Sequence, residues 1–449
     1  MRIAITTLGC KVNQYDTATI ETQLRAEGCR IVPFASEADV YIINSCSVTD
    51  RADAESRQLA RRARRGHPEA RVILTGCFAQ TRPEAAAIAE VDHVIGLSRL
   101  PDLVRAVKGE LDPTERIVVN DLRTARRVTT LGADTFTGQT RAFLKIQEGC
   151  DLFCTFCIVP FARGRSRSVA PRQVLAQLEM LAGRGFKEVV LTGVHLGGYG
   201  ADLEPAIDFC DLLEMICELE PVPRIRLSSL DPPEVTPRLL ELLARSMTLC
   251  PHLHIPLQSG DDEVLARMRR KYDTSLLREM ASSVREFLPT AAIGTDVIAG
   301  FPGETDPEFQ ATVQLLEELP FTYFHVFPYS RRSGTTAAKL PGHLPAPLIR
   351  ERAQTLRQLG ERKQAQFARD FVGATLPVLI EEKPCDDGTL SGYSRNYQRV
   401  SLTGPMTLAN TEVQVRICEA NGRELTGELA VADLERERLS VSQSASFGG

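Results

Sequence analysis

Hydrophobic positions fall into three successive rhythms along the 449-residue chain. From residue 1 to about 112, β-branched runs near 2–8, 40–45, 71–76 and 92–96 alternate with helical-period stretches such as Thr17–Glu27 and Ala52–Arg65. Short continuous apolar runs between amphipathic segments predict buried parallel strands with helices packed across them. Residues 113–140 are polar, carry Pro113, Gly132 and Gly138, and read as a linker. The rhythm then restarts, with apolar runs at 143–146, 187–192, 224–229, 252–257, 291–298 and 323–329. Amphipathic segments such as Pro171–Arg184, Thr236–Met247 and Pro307–Leu319 separate them. Six strand–helix units predict a partial (β/α)6 barrel. With the basic helical stretch Ala346–Phe371 that follows, this domain spans 141–371. The third rhythm, over 374–432, has short strands at 375–382, 389–394, 398–402, 411–419 and 425–431. Asp387-Gly388, Gly404-Pro405 and Asn421-Gly422 break them, and Asp-Gly and Asn-Gly are hairpin signals. They predict a five-stranded all-β barrel, similar in size to nucleic-acid-binding barrels. The Ser-rich tail, 433–449, reads as disordered. The expected fold class is α/β: an N-terminal open parallel sheet domain, a central partial barrel and a small C-terminal β-barrel.

Composition changes this picture little. The chain is 43% hydrophobic and 25% charged, which is ordinary for a globular protein with a sizeable core. There is no apolar run of about 18 residues to span a membrane. The N-terminus opens on a strand-like run and reads as lacking a signal peptide. Twelve cysteines are then expected to be reduced thiols or metal ligands in the cytoplasm. A net charge of −5 excludes a generic polycation, so nucleic-acid contact must come from local basic patches.

The cysteines carry the chemistry. Gly149-Cys150-Asp151-Leu152-Phe153-Cys154-Thr155-Phe156-Cys157 is a CxxxCxxC run directly after the first predicted barrel strand. Three thiolates on one loop can hold three irons of a 4Fe–4S cube and leave the fourth iron open to a small molecule. Zinc is the competing reading, but structural zinc sites normally take four protein ligands, and no His or fourth Cys lies within a dozen residues. Three further cysteines stand alone: Cys10, Cys46 and Cys77, each just past a predicted strand. In a parallel sheet all strands end at one rim, where ligand sites sit, so these three converge. A second cluster accounts for them, against the alternative of three unrelated buried thiols. The remaining cysteines have no ligand spacing, and Cys210 and Cys217 read as core.

Other motifs are less specific. Leu191-Thr192-Gly193-Val194-His195-Leu196-Gly197-Gly198 lets backbone approach a ligand, or is a plain turn. Gly294–Thr305 follows the fifth barrel strand and is no Walker loop, since no Gly-Lys-Ser/Thr follows; Glu304 to Asp306 also suits helix capping. Arginine gathers at Arg163, Arg165 and Arg167 after the cysteine loop, along Arg57, Arg61, Arg62, Arg64 and Arg65, and at Arg267, Arg269 and Arg270. Such runs bind phosphates or form solvated, ion-paired faces. Residues 374–432 hold eight Asp/Glu against five Lys/Arg, a balance of −3. Yet Tyr393, Arg395, Tyr397 and Arg399 cluster at one hairpin, a pattern suited to stacking and phosphate contact.

Together these residues resemble a known family. The CxxxCxxC loop with Phe156 before its last cysteine is similar to that of radical S-adenosylmethionine enzymes. The isolated Cys10, Cys46 and Cys77, the half-barrel and the terminal barrel resemble the methylthiotransferases over about residues 1–432. Leu8-Gly9-Cys10-Lys11-Val12-Asn13-Gln14-Tyr15-Asp16 and Cys157–Arg165 look most like the branch that modifies N6-threonylcarbamoyladenosine in tRNA beside the anticodon. Asn44-Ser45-Cys46-Ser47-Val48 has serine where that branch is expected to have threonine. The resemblance implies two 4Fe–4S clusters, held by Cys150, Cys154 and Cys157 and by Cys10, Cys46 and Cys77. It implies that S-adenosylmethionine is chelated at the first and cleaved to a 5′-deoxyadenosyl radical, which takes hydrogen from C2 of the adenine. Methylated sulfur on the second cluster then attacks. Unactivated C–H chemistry of this kind belongs to the cofactor, not to side chains. Phe156, Thr192, Gly193, His195, Ser228, Gln258, Asp296 and Ile298 are the expected S-adenosylmethionine contacts. Arg163, Arg165, Arg167, Tyr393, Arg395 and Arg399 are the expected RNA contacts, the last three on a TRAM-like barrel gripping the anticodon stem-loop. An electron donor and a sulfur source are the other implied partners, with no membrane. Two siblings stay open, acting on isopentenyladenosine in tRNA or on a ribosomal-protein aspartate. So do a non-catalytic metal-containing RNA-binding protein and a cluster-based electron carrier.

Overall fold

The computed structural model of the protein describes residues 1–125, 128, 132–134, 136 and 139–430. The tail 433–449, Gly138 and the last two residues of the expected terminal barrel lie outside them. Six parallel strands, β1 (Arg2–Thr7), β2 (Arg30–Val32), β3 (Val40–Ser45), β4 (Arg71–Gly76), β5 (His93–Ile95) and β6 (Ile117–Val118), form the first sheet in the order β2-β1-β3-β4-β5-β6. Thr7 lies beside Asn44 and Ser45 beside Gly76, so β1, β3 and β4 end level with one another. The three-residue β2 and two-residue β6 are too short to show a period in sequence. The stretch read as a linker begins with β6 on the sheet edge, and Leu122, Ala133 and Phe136 are buried. A few apolar residues spaced among polar ones are enough to seat it.

The half-barrel strands are β7 (Arg141–Lys145), β10 (Glu188–Thr192), β11 (Arg224–Leu227), β12 (His252–His254), β13 (Ala292–Ala299) and β14 (Tyr323–Pro328). β8 (Gln147–Glu148) and β9 (Arg167–Ser168) form a small antiparallel pair that brackets the cysteine loop. The ladders β11-β10-β7 and β12-β13-β14 are parallel, and bridges Ile225–Leu249 and Ser229–His254 join them. Strand order therefore follows chain order, as consecutive βα units dictate. Helices Pro171–Gly183, Phe209–Leu219, Pro237–Arg245, Thr274–Phe287 and Asp306–Glu318 bury leucine-rich faces against the outside. Cys210 and Cys217 pack partly buried on that core.

The last strands, β15 (Thr375–Ile380), β16 (Leu390–Ser394), β17 (Arg399–Leu402), β18 (Glu412–Asn421) and β19 (Glu424–Leu429), close into a barrel in the order β15-β16-β17-β19-β18. The turn between β16 and β17 docks on the amino-terminal end of the half-barrel. Arg395 donates to the carbonyls of Met247 and Pro223, and Asn396 to that of Thr290, three residues that precede β12, β11 and β13.

Candidate active site

The CxxxCxxC loop leaves β8 at Gly149, where φ is +77° and a Cβ would stand 1.9 Å from the Arg165 carbonyl oxygen. Only glycine fits so close to a neighbouring backbone. Cys150 and Cys154 are buried and Cys157 is partly so. Burial pushes the Cys150 thiol up to about 11 and Cys157 up to about 12. Iron binding must therefore displace protons from these sulfurs. Cys154 is treated differently: Arg270 donates to its Sγ at 3.0 Å and to Asp231 at 2.6 Å.

The second triad is assembled by topology. Cys10, Cys46 and Cys77 follow β1, β3 and β4, three adjacent strands of the first sheet. Gly9, at φ +102°, lets Cys46 pack against the Cys10 turn; a Cβ there would meet Cys46 Sγ at 2.9 Å. Asn13 ties the rim together, donating to Leu8 and Ser45 carbonyls at 2.7 and 3.0 Å and facing the Cys77 thiol. Burial pushes Cys77 up to about 12 and raises Cys46.

The spacing within each triad bears on the metal. Tetrahedral zinc with bonds of about 2.3 Å brings its sulfurs to about 3.8 Å of one another. Among the described residues, only His254–Asp296–His325 and His195–Asp231–Glu234 gather ligand atoms within 4.8 Å; neither cysteine triad is so tight. Open sets of three soft thiol ligands fit a multi-iron group better than a single zinc.

Arg163 joins the two triads' domains. It donates to Asn13 at 2.6 Å and Asp16 at 2.8 Å on the first domain, and pairs with Glu148 on the half-barrel. Lys145 bridges Asp16 and Glu148 at 2.7 and 2.8 Å. On the far side Arg332 binds Ser47, Asp53 and Asp50, next to Cys46. This corrects the sequence reading of the basic loop. Arg163 is 2% exposed and Arg167 is buried, donating to the Arg163 carbonyl, so neither reaches RNA phosphate. Two like-spaced arginines in a short loop look solvated in sequence, but the partners are contributed by a domain 150 residues away. Arg395 is also corrected: Glu412 pairs with it at 2.7 Å and the half-barrel carbonyls take its other donors. Tyr393 is half-buried under Arg141, 4.4 Å from its ring. Arg165 is 62% exposed and pairs with Asp151 at 3.1 Å, beside exposed Phe153 and Phe161. Arg399 is 40% exposed and 3.7 Å from Glu424.

Of the expected S-adenosylmethionine contacts, Thr192, Gly193, His195, Ser228, Gln258 and Ile298 lie at or just past the carboxyl ends of half-barrel strands, whereas Asp296 is mid-way along β13 and Phe156 is on the cysteine loop. Phe156 and Ile298 meet in a separate apolar cluster with Val264, Met268 and Phe301. Gly193 packs on Gln147, whose Oε1 accepts the N–H groups of Val194 and His195 at 3.0 and 2.8 Å. Thr192 is buried at the end of β10, and Ser228 Oγ is buried without a partner. Gln258 sits at φ +66° with its backbone paired to β13. His195 is engaged by Glu234; burial opposes its protonation, but the Glu234 hydrogen bond and the Glu234 and Asp231 charges together outweigh it and raise the pKa. Asp296 Oδ1 is shared by His254 at 2.8 Å and His325 at 3.2 Å. Glu304 is structural, accepting from Gly300 N–H and Arg352, while Thr305 and Glu308 form a capping box. Sequence reading missed Asp231, Glu234, Lys145 and Arg332. Their signal is charge on or just past otherwise apolar strands.

Residues 2–96 match the family described as uncharacterized protein family UPF0004, and residues 144–316 match the radical SAM superfamily. The threonylcarbamoyladenosine tRNA methylthiotransferase MtaB of Bacillus subtilis is 40% identical over 426 residues, 93% of this chain and 94% of that protein. The chain belongs to the radical S-adenosylmethionine methylthiotransferases. Within that family, its relatives at 36–40% identity carry the threonylcarbamoyladenosine name. The tRNA-2-methylthio-N(6)-dimethylallyladenosine synthase of Clostridium botulinum stands at 31%, over 94% of this chain and 96% of that one. The fold is shared with TsrM of Kitasatospora setae, a radical S-adenosylmethionine methyltransferase structure with cobalamin and a [4Fe-4S] cluster, at a TM-score of 0.56 and 16% identity, covering 73% of this chain and 76% of TsrM. As a radical S-adenosylmethionine enzyme the protein uses a 4Fe–4S cluster and S-adenosylmethionine.

Proposed function

We propose that the protein inserts a methylthio group at C2 of N6-threonylcarbamoyladenosine beside the tRNA anticodon, in the cytoplasm, with an external electron donor and sulfur source. The observation that carries this reading is the pair of thiol triads on two domains locked together by Arg163, Lys145 and Arg332. Cys150, Cys154 and Cys157 would hold one 4Fe–4S cluster, and Cys10, Cys46 and Cys77 a second. Together with S-adenosylmethionine these groups supply the radical and the sulfur that no side chain can.

The chain's own residues position and shield. Arg270 places a buried positive charge on Cys154 Sγ, and Asp231 holds the guanidinium there. Gln147 fixes the Gly193 turn so that backbone lies against the ligand. Ser228 Oγ, unpartnered, is free to bind it. Phe156 and Ile298 offer an apolar face for an adenine ring. No helix of the described residues is long and apolar enough to cross a membrane. RNA contact falls to what is exposed. Phe153 and Phe161 meet edge to face with centroids 6.3 Å apart, and Arg165 lies 5.2 Å over Phe153, beside the cysteine loop. Aromatic faces with an arginine stack flanking bases without reading their sequence. On the TRAM-like barrel, Lys383, Arg416 and Arg423 are exposed and suit phosphates of the stem.

Anaerobic reconstitution with iron and sulfide, incubation with tRNA from a strain lacking the modification, and nucleoside analysis form the test. Methylthio-threonylcarbamoyladenosine is the expected product. Modification of isopentenyladenosine instead would reassign the substrate, and no product with full iron would overturn the reading.

A further inference from the structure

The floor of the half-barrel carries an arrangement the steps above do not use. Tyr397, at the tip of the β16–β17 turn, is approached from four strands. Arg226 lies 4.8 Å over its ring, Arg141 5.8 Å, and the His252 and Tyr323 rings are 4.6 and 6.1 Å from it. Arg141 is on β7, Arg226 on β11, His252 on β12 and Tyr323 on β14, so Tyr397 stands inside the barrel, not on its wall. It is held at φ +66°, a left-handed conformation unfavourable for a bulky residue. Such strain persists where the surroundings fix it, and points to function. Burial alone would push the phenol up; Arg141, Lys11 and Arg226 outweigh it and hold the phenol below its ordinary range.

Lys11 is the unexplained member. It follows Cys10 on the first domain, and its ammonium lies within the electrostatic reach of Tyr397, Arg226, Arg141 and Asp296. Arg226 has Glu188 at 2.7 Å and Arg141 has Glu381 at 3.9 Å, while Asp296 is taken by two imidazoles. Among the described residues Lys11 has neither hydrogen bond nor ion pair. An unpaired ammonium crowded by two guanidinium groups is costly unless an anion joins it.

We propose that Lys11, with Arg141, Arg226 and the Tyr397 hydroxyl, binds the carboxylate of the N6 substituent of the substrate adenosine. The inference rests on threonylcarbamoyladenosine being the substrate. That substituent ends in a carboxylate, whereas the dimethylallyl group of the sibling substrate is apolar and would leave Lys11 unpaired. Sites built around a polar substrate group reject analogues that lack it far more strongly than apolar pockets reject a missing methylene. Because Lys11 adjoins Cys10, a base anchored there is held beside the N-terminal triad.

The test uses reconstituted protein and two anticodon stem-loop RNAs, one with threonylcarbamoyladenosine and one with its carboxyl amidated. Wild type should show a KM at least about tenfold lower for the carboxylate RNA. Lys11→Met should raise that KM by about 10- to 100-fold, leave the amide nearly unchanged and erase the preference, with Lys11→Arg restoring most of it. Iron is counted in each variant, and Arg141→Met, which is not adjacent in sequence to any cysteine ligand, repeats the test should Lys11→Met lose iron. Equal use of both RNAs by wild type, or discrimination intact in an iron-replete Lys11→Met or in Arg141→Met, overturns the recess and leaves the substrate assignment standing. No modification of either RNA by wild type overturns the substrate assignment itself.

Discussion

The two thiol triads solve one chemical problem by opposite means. Cys150, Cys154 and Cys157 lie within eight residues on one loop, and their geometry depends on that loop and on Gly149. Cys10, Cys46 and Cys77 are spread over 68 residues and meet only because β1, β3 and β4 are neighbours in register. A local triad survives rearrangements around it; a topological one is as sound as its sheet and the domain that braces it. Asn13 and Ser47, beside Cys10 and Cys46, are in turn held by Arg163 and Arg332 of the half-barrel.

The largest expected effect separates the two outright. Cys150→Ala/Cys154→Ala/Cys157→Ala should abolish activity and reduce iron from about eight to about four per chain, with cluster absorbance retained. Four falling to none would mean the N-terminal cysteines hold no cluster of their own. Next, Arg163→Met should leave Asp16 and Glu148 sharing one lysine. Loss of one partner from a buried ion-pair set costs about 3–5 kcal/mol. Iron should fall at the N-terminal triad, measured in the Cys150→Ala/Cys154→Ala/Cys157→Ala background, while the loop triad stays loaded, measured in a Cys10→Ala/Cys46→Ala/Cys77→Ala background. Equal loss from both triads would end the contrast.

Acid should probe the same joint in the metal-free protein. Burial works against the Glu148 carboxylate, but Lys145 and Arg163 outweigh it and hold its pKa at about 2, against an ordinary 4.5. A depressed carboxylate stabilises fully above its unfolded pKa and loses that contribution as pH falls toward the folded one. Thermal midpoints should therefore drop between about pH 4.5 and about pH 2, and less steeply in Glu148→Gln. An unchanged slope would show that Glu148 does not couple protonation to docking. The smallest effect belongs to the local triad. Arg270→Gln removes a cationic donor from Cys154 and should lower the potential of that cluster by something on the order of tens of millivolts, read by redox titration. No shift would mean the contact is lost once iron is bound.

These differences also mark what could be read from sequence. Strand periodicity located β1, β3, β4 and β5 of the first sheet, all six half-barrel strands and all five of the terminal barrel. The cysteine positions relative to strand ends carried the convergence of Cys10, Cys46 and Cys77. Charge was the poor guide. Arg163 and Arg395 look alike with Arg165 in sequence, yet only Arg165 faces solvent, because partners such as Asn13 and Glu412 come from distant chain segments. Periodicity is a property of neighbours, and a buried ion pair is a property of the folded whole.

The docking of the β16–β17 turn has a consequence in time. The ribosome delivers residues 394–399 after both thiol triads and every half-barrel strand have been made. Until then the chamber lacks its floor, and Arg224 and Arg226 lack the Tyr393, Ser394 and Arg395 carbonyls that receive them. The segment that closes the vessel is thus synthesised after the walls it closes. A chain that stops before residue 394 holds all six cysteine ligands and lacks the carbonyls that close the chamber beneath them.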